Sequence, residues 1–105
     1  MSDKYNNDEG VVINLLRKII TSLSCIEKTT TDENLKNEAC EYLMDLINQY
    51  KKVIESNDIK GIKFKYTEED LIDFSYRCIE NKENDFVKLG EDIQFGIIEL
   101  TKLLK

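Results

Sequence analysis

The strongest constraint on the fold is an apolar seam that recurs along most of the chain. Its clearest instance is a series of six apolar residues at spacings of three and four: Phe86, Leu89, Ile93, Ile97, Leu100 and Leu104. Such spacing places the side chains on one face of an α-helix. The chain also has no Pro and only four Gly, and all-β domains of this size usually use both residues in their frequent turns. The sequence therefore predicts an all-α fold.

The seams divide the chain into four helices with short polar connections. The predicted helices span about residues 8–28, 32–56, 68–81 and 85–104. Short connections between long helices favour a small antiparallel four-helix bundle. We expect residues 1–7 to form a flexible N-terminal tail and residues 8–105 to form a single helical domain. An alternative is that the first two helices form a hairpin whose core is completed by a second copy.

The connection at 57–67 has a different periodicity from the helices around it. Apolar residues alternate here with lysines, in the order Ile62, Lys63, Phe64, Lys65 and Tyr66. A period of two is typical of a strand, but the chain offers no second strand for pairing. We therefore expect an extended connection that lays its apolar side chains over the bundle. The alternative is a strand that pairs with a second copy or a partner.

Two glycines, Gly90 and Gly96, lie inside the last predicted helix. Each one destabilises a continuous helix by about 1 kcal/mol relative to Ala. We interpret them as positions where a neighbouring helix approaches closely, and the alternative is a kink in the helix.

The residue types needed for most known site chemistries are missing. The chain has no His, which excludes Ser-His-Asp and Cys-His catalysis and zinc sites built on His. Its three cysteines, Cys25, Cys40 and Cys78, lack a Cys-x-x-Cys spacing, and we expect them to be reduced and buried. Phosphate-binding glycine loops and calcium loops are also absent from the sequence. We expect no enzyme activity, no metal site and no cofactor.

Charge and hydropathy restrict the expected partners and location. The formal charge is −6, and an acidic chain is repelled by nucleic acid and by anionic membranes. A basic trio, Lys60, Lys63 and Lys65, is the feature that favours the alternative of a nucleic-acid-associated regulator. The apolar run that follows the polar first ten residues is too short and too charged to span a membrane. We expect a cytoplasmic protein without a membrane partner.

The negative charge is concentrated in residues 66–99, which contain ten acidic and three basic residues. Four residues of the third helix follow one another at i, i+4, i+7 and i+11, and we call them the acidic stripe: Glu69, Asp73, Tyr76 and Glu80. This stripe faces away from the predicted core. An exposed Tyr among acids suits recognition of a basic protein, because the ring supplies contact area and the acids pair with Lys or Arg. The alternative interpretation is a solvated face with one incidental Tyr.

In size, acidity and helix content, the chain resembles the small helical immunity proteins of bacteriocin and toxin systems. Some of those proteins are acidic four-helix proteins that use a helix with acids and Tyr to block a basic toxin domain. The resemblance implies an immunity or antitoxin-type inhibitor that binds a basic protein, and the acidic stripe is the surface we assign to this role. The alternative is a homodimeric helical adaptor or regulatory protein without catalytic activity, which would use leftover apolar residues of the first and last helices.

Overall fold

A computed structural model describes residues 2–56, 58–81 and 84–104, with side chains described from Glu9 onward. The predicted all-α class is confirmed, and the helices form a four-helix bundle. The α-helices are α1 (Ser2–Thr29), α2 (Glu33–Ser56), α3 (Glu68–Glu80) and α4 (Val87–Leu104). A 3₁₀ turn at Ile59–Gly61 follows α2.

The start of α1 is the largest difference from the predicted bounds. The helix begins at Ser2 and therefore includes residues that the sequence assigned to a tail. No Pro lies in this segment, so the ladder of backbone hydrogen bonds can continue toward the N-terminus. The flexibility of residues 1–7 and the single-domain organisation stay predictions. The other helix bounds agree with the predicted ones within two residues.

The helices pack in the order α2, α1, α4, α3, because α1 contacts both α2 and α4, and α3 packs mainly on α4. Only three residues separate α1 from α2, so these two packed helices run antiparallel. Direct contact between α2 and α3 is limited to a few positions. The predicted seams form one shared core of fully or nearly fully buried side chains, which includes Leu16, Ile19, Leu46, Phe74, Ile93 and Leu100.

The 62–66 segment lies along α2. Its three apolar side chains, Ile62, Phe64 and Tyr66, pack against the core, as the alternating pattern predicted. The backbone N–H of Lys63 donates to Gln49 Oε1 at 3.0 Å, and that of Lys65 donates to Asp45 Oδ2 at 2.9 Å. These acceptors lie one turn apart on α2, so the helix binds alternate N–H groups of an extended chain. Within the described residues no β-strand forms.

The two glycines of α4 are positions of close helix approach, which confirms the preferred interpretation. A Cβ atom added at Gly90 would lie 2.6 Å from Ile79 Cγ1 and 2.8 Å from the backbone oxygen of Ser75. One added at Gly96 would lie 2.6 Å from Ile19 Cγ1. α4 is one helix through both positions. The glycines therefore let α4 approach α3 on one side and α1 on the other.

The prediction that all three cysteines are buried is wrong for two of them. Cys25 and Cys40 are exposed, whereas Cys78 is buried, and all three are free. Each exposed cysteine precedes or follows a buried residue by one position, and one position turns a helix by about 100° away from the seam. Cys78 lies on the seam itself. Its burial raises the pKa of the thiol to about 12.

Candidate partner-binding face

The orientation of α3 is fixed by its first turn and by its apolar face. Thr67 Oγ1 accepts a hydrogen bond from the N–H of Asp70 at 3.1 Å, and Asp70 Oδ2 accepts one from the N–H of Thr67 at 3.2 Å. This capping box starts the helix. Leu71, Phe74 and Cys78 form the buried face of α3, so the opposite face of the helix lies on the surface.

All four residues of the acidic stripe are exposed. Their side chains occupy the outer face of α3, and Tyr76 is 52% exposed. An aromatic side chain this open is available for contact with another molecule. The orientation predicted from helical spacing is therefore observed, while the role of these residues in binding stays a prediction.

Three residues of the stripe line one shallow depression. Glu69, Asp73 and Tyr76 surround it together with Asp70 and Ile72. Glu80 does not line this depression and lies one turn beyond Tyr76 along the helix. The depression combines an acidic rim with the apolar surface of Ile72 and the Tyr76 ring. Such a surface can accept the aliphatic stem and the charged head of a Lys or Arg side chain.

Arg77 is the cation that modifies this acidic surface. Its Nε lies 3.5 Å from Asp73 Oδ2, while its Nη2 lies 2.6 Å from Glu38 Oε2 on α2. The pKa of the guanidinium is raised, chiefly by the hydrogen bond to Glu38. A share of the negative charge of Asp73 is therefore already balanced within the molecule, whereas no described residue forms an ion pair with Glu69 or Glu80.

Sequence reasoning missed Glu38, Asp70 and Ile72 as members or neighbours of this surface. Asp70 and Ile72 adjoin stripe residues in the chain, so the helical pattern could have predicted that they border this surface. Glu38 lies 39 residues before Arg77 and on a different helix. No local pattern connects such a pair, because its contact depends on how α2 and α3 pack.

The basic trio lies elsewhere, on the connection between α2 and α3, and all three lysines are exposed. Beside Lys65, a second depression is lined by the acids Glu41 and Asp45. Carboxylates at that place repel phosphate. The surroundings of Lys65 therefore do not favour the nucleic-acid alternative.

The outer surface of α4 bears an exposed apolar group, which we call the outer α4 stripe. Val87, Phe95 and Ile98 are 43%, 56% and 36% exposed, and they lie at i, i+8 and i+11 on one side of the helix. Lys18 Nζ of α1 lies 5.6 Å from the centroid of the Phe95 ring and 3.7 Å from Asp92 Oδ1. In the alternative of a homodimer, this exposed apolar surface is a candidate contact between the two copies.

Among the described residues, no group of His, Cys, Asp and Glu side chains has an arrangement suited to holding a metal ion. None of the helices in the described part of the chain combines the length and apolar character needed to cross a bilayer. Comparison of the chain with protein-family models, with curated proteins and with solved structures finds no match.

Proposed function

We propose that this protein is a small protein-binding module of the immunity or antitoxin type, which inhibits a basic partner by binding it through the acidic stripe of α3. The observation that carries the proposal is the depression in which the half-exposed Tyr76 ring lies beside Glu69 and Asp73. Exposed aromatic residues surrounded by complementary charge are typical centres of binding energy in protein interfaces.

The protein would inhibit its partner by covering part of the partner's surface, with no covalent bond formed or broken. A Lys or Arg of the partner would pair with Glu69 and Asp73, and its aliphatic stem would pack on Ile72 and Tyr76. The remaining acids of residues 66–99 would increase the association rate with a basic protein. Inhibition follows when the bound surface of the partner is the one that its own activity needs.

The test combines identification of the partner with a charge-matched pair of variants. Affinity capture from the native host supplies the partner, and calorimetry then measures its affinity for purified protein. Reversal of two stripe charges, Asp73→Lys with Glu80→Lys, is expected to weaken binding by at least about tenfold. The control reverses two exposed acids at the two ends of α2, Glu33→Lys with Glu55→Lys, and changes the net charge equally.

Tyr76→Ala separates recognition by this face from general attraction to an acidic protein. It leaves the charge unchanged and is expected to weaken binding by about 2 kcal/mol or more, in the range of interface hot spots. Unchanged affinity in the Asp73 and Glu80 double variant, or an equal loss in the Glu33 and Glu55 control, would mean that α3 is not the binding face.

A second candidate function is a homodimeric adaptor assembled through the outer α4 stripe. The observation that favours it is the exposure of Phe95 and Ile98 on one side of α4. Sedimentation at low micromolar concentration distinguishes the two candidates. The adaptor function requires a dimer that Phe95→Lys dissociates, and a monomer at that concentration argues against it.

A further inference from the structure

A groove between α1 and α2 is an apolar surface feature outside the α3 face. Its floor consists of Ile20 from α1 with Ile47 and Tyr50 from α2, around a cavity of about 370 Å³. All three side chains are partly buried. None of the residues lining this cavity belongs to α3 or α4, so the groove is separate from the acidic stripe.

A second depression, lined by α1 alone, extends this surface along α1. This depression shares Ile20 and Thr21 with the cavity and extends to Ser24, Cys25 and Lys28. We call the combined surface the α1–α2 groove. From Arg17 to Lys28 it follows twelve residues of α1, whose eleven steps correspond to about 16 Å at the rise of an α-helix. That length accommodates about three turns of a helix lying in the groove.

The charge of the α1–α2 groove is opposite to that of the chain as a whole. Arg17, Lys28 and Lys51 line it, and no acidic residue does, although the chain has more acids than bases. Among the described residues, no carboxylate lies within ion-pair distance of these three cations. The groove therefore offers an apolar floor at Ile20, Ile47 and Tyr50, with cations around it that pair with no carboxylate of the described residues.

We propose that the α1–α2 groove binds an acidic amphipathic helix of a partner protein. A helix in a groove inserts apolar anchors at i, i+3 or i+4, and i+7. The apolar floor of Ile20, Ile47 and Tyr50 can receive such anchors, and the extension along α1 adds length for the flanking turns. Asp or Glu residues beside those anchors would pair with Arg17, Lys28 and Lys51. Three cations around an apolar floor do not suit a nucleic acid, whose affinity depends mainly on many phosphate contacts.

The probe is a displayed library of 14-residue helices with Leu fixed at anchor positions and either Glu or Lys at each flanking position. We expect selection on the full-length protein to recover clones with Glu at the flanks. The groove variant Arg17→Glu with Lys51→Glu should bind these clones at least about tenfold more weakly. The control, Lys60→Glu with Lys88→Glu, makes the same change in net charge at exposed positions outside the groove and should bind them nearly as well as the wild type.

A second measurement places the peptide without relying on affinity. Cys25 lines the groove and is exposed, so a bound Glu-bearing peptide is expected to slow its alkylation several-fold. Circular dichroism of each variant confirms that the helices are retained. These readouts concern only the α1–α2 groove, so failure here leaves the proposed role of α3 unaffected.

Four outcomes would overturn the proposal. The first is a selection that recovers no Glu-bearing clone. The second is a Glu-bearing clone that binds the groove variant as well as the wild type, and the third is an equal loss in the control. The fourth is a self-associated wild-type protein that the groove variant converts to monomers, since the occupant would then be a second copy.

Discussion

The guanidinium of Arg77 binds the carboxylate of Glu38 through two parallel hydrogen bonds, Nη1–Oε1 at 2.7 Å and Nη2–Oε2 at 2.6 Å. This pair connects α3 to α2, two helices that otherwise share few contacts. Arg77 also lies near Asp73 and above the Phe74 ring, with its Cζ 5.9 Å from the ring centroid. Arg77 therefore contacts both a residue of α2, Glu38, and an acid of the proposed binding face, Asp73.

We expect the Arg77–Glu38 pair to stabilise the fold by about 1 kcal/mol, at the upper end for partly exposed pairs because the geometry is bidentate. A double-mutant cycle with Arg77→Met and Glu38→Gln measures this coupling through urea unfolding. Met retains part of the aliphatic stem over Phe74. A coupling energy of zero at low salt would show that the pair does not hold α3 to α2.

Replacement of the α4 glycines by Ala should destabilise the protein although Ala favours helix. We expect Gly90→Ala to have the larger effect, about 1–3 kcal/mol, because the added Cβ meets the backbone oxygen of Ser75 at 2.8 Å. At Gly96 it meets the side chain of Ile19, which has more freedom to move. Thermal unfolding gives the order of the two variants.

Gly10 of α1 provides the matched control for this series. It is exposed, and a Cβ added there has no neighbour within 4 Å. Gly10→Ala should therefore stabilise the protein by up to about 1 kcal/mol through helix propensity alone. A stabilising effect of Gly90→Ala would contradict the close approach of α4 to α3.

Asp45 and Gln49 should hold the 62–66 segment on α2. Asp45→Ala and Gln49→Ala each remove the acceptor of one backbone N–H, and we expect each to destabilise the protein by about 1–2 kcal/mol. Hydrogen exchange should accelerate at the amide of Lys65 in the first variant and at that of Lys63 in the second. Asn48→Ala, at an exposed neighbouring position, should leave both exchange rates unchanged.

Stability should decline in alkali because two buried groups must stay protonated. Burial raises the pKa of the Cys78 thiol from 9.0 to about 12. The pKa of the Tyr42 phenol is raised from 10.0 to about 12. Burial is the largest cause, and the nearby negative charges of Glu38 and Asp70 add to it. Because the unfolded chain releases these protons at lower pH than the folded one, their contribution is complete below about pH 9 and is lost as the pH rises toward 12.

The measurement is the urea midpoint between pH 8 and pH 11. Tyr42→Phe with Cys78→Ala should reduce the alkaline decline, even though the double variant starts from a lower stability because of its altered core. The comparison therefore uses the slope with pH and not the absolute midpoint. An unchanged slope would mean that neither group titrates differently in the folded and unfolded protein.

Much of the fold follows from local pattern. The seams correctly predicted four helices and their buried residues, such as Ile93 and Phe74, because helical periodicity depends only on spacing along the chain. The capping box at Thr67 and Asp70 is equally local. The exposure of Glu69 and Tyr76 followed from the same helical geometry, so the orientation of the acidic stripe could be predicted from the sequence.

The sequence by itself determined the helices, their apolar faces and the uneven distribution of charge. Only the tertiary structure decided which faces meet. Three features join residues that are distant in the chain or on separate helices. They are the ion pair of Arg77 with Glu38, the hydrogen bond from the Lys65 N–H to Asp45, and the groove between Ile20 and Ile47. These contacts depend on how rigid helices pack around one core, and the spacing of residues within a helix does not determine that packing.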